Sequence, residues 1–279
     1  MAQLIDGRSL AAAIRRALPL RIAKLPRRPG LSVMLVGHDP ASELYVKLKG
    51  KAAQTAGIRF TLERFSQSVN QHELLGRLQA WNTDPEVDAM LIQLPLPRHL
   101  REQPIIEQLV PEKDVDGFHP INTARFLSGQ RSDPPGLVEG ILRLIAATGV
   151  PLGALTATIV ARSSVFTDCL EHALRLHGAF PRTVPPNDTH RTATLEADVV
   201  VIAAGRPKLL VGDDLKPGAI VIDVGINALP DGSIVGDVDR QSVERVASWL
   251  TPVPGGVGPM TIAMLLENVV RIAERNEVL

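Results

Sequence analysis

Tyr45 and Lys49 stand four residues apart in the stretch Ser42-Glu-Leu-Tyr-Val-Lys-Leu-Lys-Gly-Lys-Ala-Ala-Gln-Thr-Ala-Gly-Ile58, so on a helix they share one face. Tyr45 is the only tyrosine of the 279-residue chain. A lysine beside a phenol, on a helix that follows the apolar run Leu31-Ser-Val-Met-Leu-Val36, can be partly stripped of water. That lowers its pKa toward a value useful for proton transfer. The plainer alternative is a solvated basic face, because Lys47, Lys49 and Lys51 lie within five positions.

Three further stretches offer partners for such chemistry. The apolar run ending in Gln93 is followed by Leu94-Pro-Leu-Pro97, and strands of parallel sheets present ligand-contacting groups at their carboxyl ends. Gln93 is therefore either aimed at a site or bonded to loop backbone. The polar loop Pro111-Glu-Lys-Asp-Val-Asp-Gly-Phe-His-Pro120 carries Asp114 and Asp116, which can cap a turn or bind a donor-rich ligand. Thr251-Pro-Val-Pro-Gly-Gly-Val-Gly-Pro-Met-Thr261 runs into an apolar-periodic segment. A helix entered there either offers free N–H groups to an anion or carbonyl, or is an ordinary proline-stiffened start.

The elements that must hold these residues follow from periodicity. It predicts helices over 10–25, 42–58, 71–81 and 103–109, and strands over 31–36, 59–65 and 88–93. Beyond residue 122 it predicts a helix over 137–148 closed by Gly149, a strand over 154–161, a helix over 166–177, strands over 199–204 and 219–224, and a last helix over 262–273. Strands alternating with helices imply parallel sheets wrapped by helices. The fold class expected is α/β with two α/β units, the second of the kind that holds a dinucleotide, and the boundary falls near 117–122.

Composition narrows the function. Thirty basic residues balance thirty acidic ones, which leaves no electrostatic footprint for nucleic acid or an anionic membrane. Cys169 is the single cysteine and cannot form an internal disulfide. The seven histidines are scattered without ligand spacing, so no metal site is expected. Neither a signal peptide nor a membrane-spanning apolar run is evident, and a soluble cytoplasmic protein is expected.

Taken together, Tyr45-Val46 with Lys49, Gln93-Leu-Pro-Leu-Pro97, Lys113-Asp-Val-Asp-Gly-Phe-His-Pro120, Asp223-Val-Gly-Ile-Asn227 and Pro252-Val-Pro-Gly-Gly-Val-Gly-Pro-Met-Thr261 closely resemble the methylenetetrahydrofolate dehydrogenase/methenyltetrahydrofolate cyclohydrolase family. The resemblance runs almost end to end. It implies a folate-binding catalytic α/β domain over 1–120, completed by the C-terminal helix at about 258–279, facing a Rossmann-type NADP domain over 121–257 across a cleft. It also implies a homodimer. Carried over by position, Lys49 is the catalytic lysine, Tyr45 the tyrosine that stacks on or orients the folate, Gln93 the glutamine that tunes the lysine, and Asp116 the carboxylate that holds the pterin. Pro254, Gly255 and Gly256 would line the folate.

The second domain departs from the family pattern. Where members carry Gly-Arg-Ser-x-x-Val-Gly-x-Pro, this chain reads Ala161-Arg-Ser-Ser-Val-Phe-Thr-Asp-Cys169. Ala161 and Thr167 replace both glycines that let the backbone approach a pyrophosphate, and Asp168 adds negative charge. The family's Cys-His-Ser segment is replaced by Val184-Pro-Pro-Asn187, with Pro186 at or near the serine and no proline N–H to donate. The family's Pro-Cys-Thr-Pro-x-Gly becomes Pro135-Gly-Leu-Val-Glu-Gly140. Arg162, Ser163 and Ile226 remain to hold NADP. The sequence therefore reads first as a methenyltetrahydrofolate cyclohydrolase whose NADP-dependent dehydrogenase activity is weakened or lost. The alternatives are the ordinary bifunctional enzyme and a non-catalytic folate-binding paralog.

Overall fold

The structure, a computed structural model, describes residues 1–131, 133–187 and 189–277. In chain order its elements are β1 (Gln3–Leu4), α1 (Gly7–Ile22), β2 (Gly30–Val36), α2 (Pro40–Ala56), β3 (Arg59–Phe65), α3 (Gln71–Thr83), β4 (Ala89–Ile92), α4 (Glu102–Ile106) and α5 (Pro120–Leu127). They continue as α6 (Gly136–Ala146), β5 (Thr156–Ala161), α7 (Ser164–Leu176), β6 (Phe180–Val184), α8 (His190–Thr194), β7 (Val199–Ala203), β8 (Ile220–Asp223), β9 (Asn227–Ala228), β10 (Ile234–Val235), α9 (Arg240–Val243), β11 (Trp249–Leu250) and α10 (Val257–Asn276). Among the described residues no helix is long and apolar enough to cross a membrane.

The chain divides into two compact units, one of residues Ala12–Arg125 with Ile262–Leu279, the other of Met1–Ala11 with Phe126–Thr261. The sequence reading puts residues 1–11 with the earlier domain. They belong with the later unit because β1 pairs in parallel with β11, Gln3 opposite Trp249 and Leu4 opposite Leu250.

The first unit is built on a parallel sheet in the order β3-β2-β4. Every residue of β2 is buried, which is what a central strand covered on both faces requires. Val33 and Leu35 pack with Val46 and Ala53 of α2 and with Leu266 and Val269 of α10. Met34 and Val36 face the other way, into Leu74, Leu78 and Trp81 of α3. The order of α2 is set at both ends: Asp39 Oδ2 accepts from Ser42 N at 2.8 Å, Pro40 opens the first turn, and Gly57 at φ 89° ends the helix in the left-handed region.

The second unit carries a parallel sheet in the order β1-β11-β8-β7-β5-β6. Val160, Val200, Ile202 and Val221 share one core with Leu210, Leu215 and Val243. From β5 the chain runs outward to β6, then returns to β7, β8 and β11 on the other side. The carboxyl ends of β5 and β7 therefore flank the point where strand order reverses, the usual place for a ligand in a doubly wound sheet.

Candidate active site

The three lysines of α2 have different fates. Lys47 and Lys51 are exposed, whereas Lys49 is 8% exposed, so the solvated basic face is not what the helix presents at Lys49. Its neighbours Val46, Gly50 and Ala53 are buried with it. Lys49 Nζ donates to Gln93 Oε1 at 2.9 Å. The glutamine is fixed from its own side: β4 ends at Ile92, Gln93 N continues the ladder to Met34 O at 2.9 Å, and Gln93 Nε2 donates to Leu94 O at 2.8 Å. One amide group thus binds loop backbone and the lysine at once. Tyr45 lies one turn before Lys49 on α2 and is half-buried.

The loop after α4 separates the two aspartates that sequence leaves equivalent. Asp114 turns inward, accepting from Gly117 N at 3.1 Å, His119 N at 2.9 Å and Asn122 Nδ2 at 3.0 Å. It organises the turn. Asp116 has no hydrogen-bond partner among the described residues and interacts with Lys49 through charge. Between them, Val115 O accepts from Asn268 Nδ2 of α10 at 3.0 Å, so the last helix braces the loop beside Asp116. Asn268 carries no motif and is not found by sequence reasoning.

Burial drives the electrostatics. Loss of water pushes the Lys49 ammonium below its ordinary value, and the Asp116 charge partly opposes this. Burial pushes the Asp116 carboxyl up, Lys49 pulls it down, and Asp114 pushes it up again. Burial also raises the Tyr45 phenol. The candidate site thus holds a buried lysine of lowered pKa, interacting through charge with a carboxylate whose acceptor oxygens have no hydrogen-bond partner among the described residues.

Pro254, Gly255 and Gly256 belong to the other unit, in the turn before α10. Gly255 sits at φ 124°, open to glycine. A Cβ on Gly256 would lie 2.6 Å from Thr251 Cβ, so both positions need glycine for the turn itself. Asp223 at the end of β8 accepts from Gly225 N at 2.9 Å, Asp237 N at 3.0 Å and Val238 N at 3.0 Å. Burial pushes its carboxyl up to about 7 against those three bonds. Ile226, in the same turn, is 42% exposed.

At the start of α7 the two residues that stand for glycines are both inside the unit. Ala161 closes β5 opposite Ala203 and is 4% exposed; Thr167 is 4% exposed and its hydroxyl donates to Ser164 O at 3.2 Å. Arg162, Ser163 and Asp168 are exposed. Ser163 precedes the helix without a side-chain cap bond, so the first-turn N–H groups keep their capacity for an anion.

Two family models match the chain. The model described as tetrahydrofolate dehydrogenase/cyclohydrolase, catalytic domain, matches residues 5–116, and the one for the NAD(P)-binding domain of the same enzymes matches residues 135–277. The chain is 43% identical over 278 residues to the bifunctional protein FolD of Geobacillus thermodenitrificans, covering 98% of each. The crystal structure of the bifunctional enzyme FolD from Campylobacter jejuni superposes with a TM-score of 0.94 at 40% identity, covering 99% of this chain and 100% of that one. That of Trypanosoma brucei FolD, complexed with NADP cofactor and an inhibitor, gives a TM-score of 0.94 at 31% identity, covering 99% and 98%. With a buried lysine–glutamine pair in one unit, a doubly wound sheet in the other and likeness over both, the chain belongs to the tetrahydrofolate dehydrogenase/cyclohydrolase family.

Proposed function

We propose that this chain is a bifunctional enzyme of folate one-carbon metabolism, hydrolysing 5,10-methenyltetrahydrofolate to 10-formyltetrahydrofolate and oxidising 5,10-methylenetetrahydrofolate with NADP. The observation that carries the first activity is the buried Lys49 Nζ held 2.9 Å from Gln93 Oε1. The methenyl carbon is already electrophilic, so the protein has to position water and handle protons. Lys49, neutral at the start, takes a proton as water adds to that carbon. It then returns that proton to the ring nitrogen as the carbon–nitrogen bond breaks, the remaining hydroxyl proton leaves to solvent, and the formyl group stays on the other nitrogen. Gln93 keeps the amine aimed through this exchange. Asp116 holds the N–H donors of the pterin ring, and Tyr45 packs beside the folate.

For the second activity NADP, when bound, supplies the acceptor of two electrons from the methylene carbon. The donor set fits such a group: Arg162 and Ser163 are exposed at the uncapped start of α7. The burial of Ala161 and Thr167 supports retention of the dehydrogenase, because their side chains lie inside the unit. One observation favours the narrower reading of a cyclohydrolase with weakened dehydrogenase, namely the exposed Asp168 in the second turn of α7.

The cyclohydrolase is tested by adding purified protein to methenyltetrahydrofolate without nucleotide. Loss of the methenyl absorbance well above the buffer rate is expected; a rate equal to buffer rejects the assignment. A pH series adds a finer check. Because the reaction uses neutral Lys49, the rate at saturating substrate rises with pH through the lysine's lowered pKa. The Asp116 charge is the interaction that raises that pKa, so Asp116→Asn is expected to move the acid limb to lower pH while raising KM. A limb that stays fixed or moves to higher pH contradicts the coupling.

A further inference from the structure

Arg206 holds a position that neither proposed reaction uses. It follows β7 by three residues, and its backbone N–H donates to Asp237 Oδ1 at 2.8 Å. The same carboxylate accepts from Ala204 N at 2.6 Å, Gly205 N at 3.0 Å and Asn227 Nδ2 at 2.9 Å. Asp237 is wholly buried, so the turn that carries Arg206 is fixed from beneath. The side chain is fixed from above: Arg206 Nη1 donates to Pro186 O at 3.0 Å.

That bond spans the sheet. Pro186 lies beyond β6 and Arg206 beyond β7, with β5 between the two strands. Strands two apart are separated by roughly 10 Å, so the arginine reaches across the carboxyl end of β5, at the switch point. Its remaining guanidinium N–H groups have no partner among the described residues, and neither has Arg162 at the end of β5.

In a doubly wound dinucleotide site the adenosine ribose lies near the end of the second strand. An acidic residue there takes the free 2′-hydroxyl, or an arginine nearby takes a 2′-phosphate. The second strand here is β6, followed by Pro185, Pro186 and Asn187. The prolines donate nothing, and Asn187 Oδ1 is engaged by Thr189 N at 3.1 Å and Thr189 Oγ1 at 2.6 Å. Asp188, the acidic residue of that segment, lies outside the described residues. The cation brought to this strand end comes from β7.

We propose that Arg206, preorganised by Asp237 and Pro186, is the residue that selects a dinucleotide bearing a 2′-phosphate on its adenosine ribose. The role rests on the proposed dinucleotide function of this unit. A guanidinium held at Nη1 by Pro186 O, on a backbone anchored by Asp237, and keeping free donors loses little freedom on meeting a phosphate.

Calorimetry with NADP and NAD on the full chain, wild type against Arg206→Ala and Arg206→Lys, tests it. The wild type is expected to favour NADP. Arg206→Ala should weaken NADP by at least about tenfold, as loss of a charge-assisted bond implies, and leave NAD within about twofold; Arg206→Lys should recover part of the NADP affinity. Equal weakening of both nucleotides, or of neither, overturns the role, and the equal loss would mark Arg206 as merely structural. Preference of the wild type for NAD overturns it while leaving the dehydrogenase reading intact. Binding of neither nucleotide by the wild type sinks that reading and this role together. If Arg206→Ala does not fold, Arg206→Gln, which keeps an N–H for Pro186 O, gives the same comparison.

Discussion

Lys49→Met is expected to lower methenyltetrahydrofolate hydrolysis by about two to four orders of magnitude, the range contributed by a positioned acid–base group. The unit should remain folded. Methionine fills a similar volume in an apolar setting, and Gln93 keeps its bonds to Leu94 O and, through its backbone, to Met34 O. Replacing a residue that is 8% exposed also removes the cost of burying the charged form of its amine. Lys47→Met and Lys51→Met change exposed residues on the same helix and should leave the rate within about twofold, surface changes of this kind being nearly neutral. Nucleotide binding should be untouched in all three. A Lys49→Met enzyme hydrolysing at the wild-type rate would remove the lysine from the mechanism. A wild type inactive from the outset would favour a non-catalytic folate-binding role.

The second large effect is on stability. Asp237→Ala should cost more than about 4 kcal/mol, a loss confined to a few mechanisms, among them the orphaning of buried polar groups. Its carboxylate serves the backbone N–H groups of Ala204, Gly205 and Arg206 and the side chain of Asn227. The Ala204 N–H is buried and the other three donors partly so; a fully buried N–H left unpaired costs on the order of 1–3 kcal/mol, and the three partly buried donors add to it. The melting temperature should fall by roughly 10 °C or more. Asp237→Asn, which keeps one oxygen but turns an amide N–H toward backbone donors, should lie between alanine and wild type. A melting temperature unchanged in Asp237→Ala would mean that water replaces the carboxylate without loss.

The strands and helices of the first unit are legible because each carries a full period. The run 31–36 is apolar without alternation, and the structure explains this by burying β2 on both faces. What the sequence hides is hidden for physical reasons. β6 reads Phe180-Pro-Arg-Thr-Val184 with exposed positions, because an edge strand tolerates proline and polar residues. β1 and β11 contribute two residues each, too few for any period, so the affiliation of residues 1–11 emerges only from their pairing. Lys47, Lys49 and Lys51 are chemically alike, and burial alone singles out the middle one. Asp114 and Asp116 differ only in which oxygens the loop consumes, and a linear reading cannot count hydrogen bonds not yet formed. Arg206 has no motif at all. Its place follows from strand order, which brings the ends of β6 and β7 to either side of β5.

The replaced glycines teach the opposite lesson. Ala161 and Thr167 look prohibitive if their Cβ atoms face a phosphate, yet both side chains are buried, Ala161 at the end of β5 and Thr167 with its hydroxyl tied to Ser164 O. Neither residue has a positive φ, so no backbone strain accompanies them.

The most direct measurement gives the purified protein 5,10-methylenetetrahydrofolate and NADP and follows reduced NADP and 10-formyltetrahydrofolate in the same reaction. Both products are expected, with reduced NADP formed in step with the formyl product. Rapid hydrolysis of supplied methenyltetrahydrofolate with no reduced NADP from the methylene compound would contradict the bifunctional account and leave a cyclohydrolase alone.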